Sequence, residues 1–121
     1  MSAAAGTLVA WVASRTPPAP AELLEYMAAD LQAAGYASAG VTGAGLAPAL
    51  LDASSRALER VLASAGVSRA AAFDLLVSDA YVTYAFEAAA DDPGSLVAAA
   101  SDAMRQISAI AVRHLEPAGG A

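Results

Sequence analysis

The sequence predicts an all-α fold, a single-domain bundle of four long helices or fewer preceded by a short N-terminal helix. Three observations predict it. Alanine, the strongest helix former, fills 36 of 121 positions. Apolar residues recur three and four positions apart through four long segments. Prolines and glycines gather mainly between those segments. A chain of this length can bury roughly two-thirds of its unfolded surface, so residues 1–121 read as one helical domain. The apolar content of 58% overstates the core, because about half of it is alanine.

The first helix is expected within residues 1–16, over Thr7 to Ser14 (TLVAWVAS), with a strand as the alternative. Trp11 would anchor it. The helix must stop near Thr16, because Thr16-Pro17-Pro18-Ala19-Pro20 removes backbone donors and disfavours the α region before each proline. Residues 16–20 therefore form a stiff connector. Pro20 then opens a helix over Ala21 to Ala34, where Glu22 and Glu25 favour the positive end of the dipole. Leu23, Leu24, Met27, Leu31 and Ala34 share one stripe, and Gly35 is the stop.

Tyr36 to Gly45 is a glycine-rich loop. It fails as a nucleotide fingerprint, since Pro48 stands where the third glycine belongs and no Lys-Ser/Thr follows. A helix from Ala47 to Ala65 comes next, with Pro48 in its first turn. Its expected buried stripe is Leu50, Leu51, Leu58, Val61 and Leu62, and Asp52, Arg56, Glu59 and Arg60 are spaced for i,i+4 pairing on the wet side.

The central helix is expected over residues 68–90, capped by Ser68. Its apolar residues occupy two sides. Phe73, Leu76, Val77, Ala80 and Tyr84 make a broad face, and Leu75, Val82 and Phe86 make a second one opposite. Such a helix needs neighbours on both sides, in a bundle or across a subunit seam. Asp79 and Glu87 fall at the margins and are the carboxylates expected to be partly buried. Asp92 and Pro93 then start a last helix to Leu115, with Leu96, Val97, Ala100, Met104, Ile107, Ile110 and Ala111 on its inner face. Residues 116–121 read as a flexible tail.

Composition excludes much chemistry. Cys, Lys and Asn are absent, which removes disulfides, thiolate metal sites, cysteine nucleophiles and Schiff-base or P-loop lysines. The net charge is −6 and the six arginines form no stripe, which argues against nucleic-acid binding. The apolar run Ala3–Ala13 is too short to span a bilayer and lacks a basic flank, so no membrane association is expected and the expected location is cytoplasmic. His114 lacks the Glu-x-x-His spacing of a metal ligand and reads as a helix-end residue, so no metal and no cofactor is expected. No serine sits in a nucleophile elbow.

Two functional readings follow. The first is a small, acidic, non-catalytic interaction or assembly protein that self-associates or joins a larger complex, with Leu75, Val82 and Phe86 as its interface. The alternative is a bundle enclosing a small apolar ligand, with enzyme activity as a sub-case. Phe73, Leu76, Tyr84 and Phe86 would line that pocket, and Asp79 or Glu87 would hold the ligand's polar end.

Overall fold

The computed structural model of the chain describes residues 7–36, 43–64, 68–90 and 92–115. These form five α-helices and one 3-10 turn, with no β-strand among the described residues. The fold is all-α, as the alanine content and the spacing predict. The glycine-rich stretch 37–42, the residues 65–67 and 91, and the tail 116–121 lie outside the described residues.

The chain divides into two compact units, Met1–Leu46 and Ala47–Ala121. In the first, α1 (Leu8–Ala13) packs on α2 (Ala21–Ala33). Thr7 caps α1 by accepting the Ala10 N–H at 3.0 Å. Trp11 is half-buried and holds the helix end: the Arg15 guanidinium lies 3.7 Å from its ring centroid, and Arg15 Nε donates to the Trp11 carbonyl at 3.0 Å. The Thr16–Pro17 peptide is cis. Pro20 takes the N-cap position of α2, one residue before the first turn.

Gly35 ends α2 in the way its sequence predicts. Its φ is +94°, a conformation glycine adopts without steric cost. The Gly35 N–H then bonds to the Gln32 carbonyl and the Tyr36 N–H to the Leu31 carbonyl, a paired C-terminal cap. Met27 and Leu31 are buried, Leu23 and Leu24 half-buried, and Ala34 is exposed.

The second unit holds α3 (Leu46–Ala63, its first residue at the boundary), α4 (Arg69–Ala89) and α5 (Pro93–Leu115). Ser68 caps α4 through the Ala71 N–H at 3.0 Å. Asp92 caps α5 by accepting from the Gly94 N–H at 3.1 Å, and its other oxygen accepts from the Ser95 hydroxyl at 2.9 Å. α4 and α5 pack against each other.

Burial in this unit departs from the wheel drawn on sequence. On α3 the buried set is Ala47, Leu50, Leu51, Ala53, Ser54 and Ala57, while Leu58, Val61 and Leu62 are only half-buried. On α4 a single stripe goes inside: Asp74, Val77, Ser78, Tyr81, Ala85 and Ala89. On α5 it is Ala99, Ala103 and Ile110. Leu96, Val97, Met104 and Ile107, expected on the inner face of α5, are exposed. The cause is alanine and serine. Small residues let helix backbones approach closely, and a stripe of long side chains would hold them apart.

Candidate interaction surface

Polar side chains fix how α3, α4 and α5 are rotated against one another. Between α3 and α4, Ser54 Oγ donates to the Ser78 carbonyl at 2.9 Å, and Ser78 Oγ donates to the Ser54 carbonyl at 3.1 Å. Each hydroxyl has one proton, so this reciprocal pair uses both. The two oxygens themselves sit 3.0 Å apart. One turn away, Arg60 Nε and Nη2 both reach Asp74 Oδ1, at 3.1 and 3.0 Å. The buried carboxylate of α4 is thus Asp74, with an arginine from a neighbouring helix to satisfy it. Asp79 and Glu87, the carboxylates expected to be partly buried, are exposed. The arginine partner on α3 is what lets the Asp74 edge of α4 turn inward.

Between α3 and α5 runs a second polar seam. Ser55 donates to Gln106, Gln106 Nε2 donates to Asp102 at 2.9 Å, and Arg113 binds Glu59. His114 Nε2 lies 3.7 Å from the same Glu59 carboxylate. The Arg113 hydrogen bond is the main force holding the Glu59 carboxyl below its ordinary value, with partial burial opposing it and the Arg113 and His114 charges adding to it. Asp52 and Arg56 pair along α3 as their spacing predicts. Glu59 and Arg60 instead reach other helices. Asp52, Ser55, Arg56, Glu59, Gln106 and Arg113 border an open groove of about 210 Å3 in which the cations already face carboxylates.

The residues proposed from sequence for a ligand pocket do not converge. At 100° per residue, Phe73 and Tyr84 fall on one flank of the buried stripe of α4, and Asp79 and Phe86 fall on the other. Phe73, Tyr84 and Phe86 are half-buried, and Leu76 is exposed along with Asp79 and Glu87. None of the six borders the α3–α5 groove or the small apolar cavity of about 30 Å3 between α1 and α2. Leu75, Val82 and Phe86, by contrast, do share one flank. Leu75 is 53% exposed, and the other two are half-buried.

The surface that stands out was missed in the sequence, although its residues were named there. Val97, Ala100, Met104, Ile107 and Ala111 follow one another on α5 at spacings of three, four, three and four. That is the seam spacing of a coiled coil. Val97 is 67% exposed, Met104 71% and Ile107 48%. Leu96 and Leu115 flank the same stripe and are exposed as well. No arginine or carboxylate interrupts it: Asp102, Arg105 and Arg113 all lie on other sides of the helix.

Among the described residues, no group of three or more histidines and carboxylates could hold a metal ion. No described helix is long and apolar enough to cross a membrane. Compared with known protein families, curated proteins and solved structures, the chain matches none.

Proposed function

We propose that this chain is a small acidic interaction or assembly protein, non-catalytic and cytoplasmic, which acts by burying apolar helix surface against a protein partner. The observation that carries this reading is the exposed seam of α5. It offers on the order of 500 Å2 of contiguous apolar surface, near the upper end of what a typical monomer leaves open. Its seam spacing suits a helix as the opposing element. Leu75, Val82 and Phe86 on α4 supply a second apolar flank in the same unit.

The test is the mass of the particle isolated from its native source. The expected result is a particle larger than one chain for the wild type, reduced to a single chain by Met104→Glu. Because Met104 is exposed, that substitution should change the stability of the isolated chain by less than about 0.5 kcal/mol. A wild-type particle with the mass of one chain would overturn the proposal.

A further inference from the structure

Resting on the reading of α5 as an interaction surface, we infer that its occupant is α5 of a second copy of this chain, laid antiparallel across a two-fold axis between Arg105 and Gln106. Three features of the stripe select this partner.

The first is self-complementarity. In an antiparallel coiled coil each position of one seam series faces the other series of the mate. Centring the pair between 105 and 106 sets Met104 against the partner's Ile107, and Ala100 against the partner's Ala111. In these two layers large faces large and small faces small, twice over by symmetry, while Val97 at the end of the stripe meets the partner's His114. A parallel pair in register would stack Met104 on Met104 and Ala100 on Ala100, and would bring together the two Asp92 caps.

The second is charge. Two chains of net charge −6 repel, so the contact must form where neither carries a carboxylate, and the α5 stripe satisfies that condition. The antiparallel arrangement also sets the positive N-terminal end of each helix dipole beside the negative C-terminal end of its mate.

The third is area. About 500 Å2 of apolar surface from each copy, together with its rim, reaches the lower range of specific interfaces and no further. The pair is therefore expected at the small end of stable association, in exchange with the single chain.

Sedimentation of the purified wild-type chain tests the partner, and engineered thiols test the geometry. The weight-average mass should approach twice that of one chain as concentration rises from about 1 to about 100 μM. The chain has no native cysteine, so single probes report without background. Ala100→Cys and Ala111→Cys should each fail to cross-link alone and should form a disulfide-linked dimer when mixed. In each pure variant the two sulfurs would be separated along the axis by about 16 Å, well beyond bridging distance. A disulfide between two Ala100→Cys chains would overturn the antiparallel register. A strictly monomeric wild type would overturn the second copy as the occupant, yet the native particle could still exceed one chain in mass, so failure of this inference is distinguishable from failure of the interaction reading.

Discussion

Ser54 and Ser78 show how a single pair of small polar residues can set a helix–helix distance. Their hydroxyls exchange hydrogen bonds with each other's backbone carbonyls in a site nearly closed to water. Alanine at either position should cost about 1 kcal/mol, the net worth of one such bond. In either single variant the surviving hydroxyl still donates to the backbone carbonyl of the substituted residue. Ser54→Ala with Ser78→Ala should therefore cost about the sum of the singles. Urea denaturation of the four proteins measures this, and a double variant costing clearly less than the sum would show that the two hydroxyls depend on each other. Nothing in the local sequence announces the pair. Residues 24 positions apart become partners only once α3 and α4 are packed. Asp74 is the same case. Its partner Arg60 is on α3, so a wheel of α4 alone could not distinguish it from Asp79.

At the scale of elements, the ends were legible and the faces were not. Thr7, Gly35, Ser68 and Asp92 each act through atoms within a few residues, so local chemistry suffices to place them. Which stripe of α5 faces inward depends on its neighbours. Its long apolar side chains made the Val97–Ile107 side look like the core, whereas close approach is served by Ala99 and Ala103. The rotation of α5 is fixed by Gln106 on Ser55 and Arg113 on Glu59. That seam has a pH signature. The folded state holds the Glu59 carboxyl below its ordinary value of 4.5, principally through Arg113. A depressed carboxyl contributes stability that is fully present above the unfolded value and is lost as pH falls through the folded one. The melting temperature of the wild type should therefore exceed that of Glu59→Gln at pH 6 to 7, and the two should converge as pH drops below about 4.5. A constant gap from pH 7 to pH 3 would show that the Glu59 charge does not support the seam.

For the whole molecule, an alanine-based interior has an energetic consequence. Each buried alanine removes little apolar area from water, and burial is the main favourable contribution to folding. Meanwhile Leu75, Leu76, Leu96, Val97, Met104 and Ile107, which could contribute more per residue, stay in contact with solvent in the single chain. The inferred pairing would couple folding to association: covering the α5 stripe would supply burial that the interior lacks, and whatever binds only the folded state stabilises it by mass action. The thermal midpoint of the wild type should then rise with chain concentration, by a few degrees between about 5 and about 500 μM. Met104→Glu sets a carboxylate into the seam, where its pairing would require desolvation of a charge without a partner. Its midpoint should be independent of concentration and should match that of the wild type only at high dilution. If the wild-type midpoint were flat over the same range, the outward-facing leucines, valines and methionine would contribute nothing to stability through self-association, and the energetic role of α5 would have to come from a different protein.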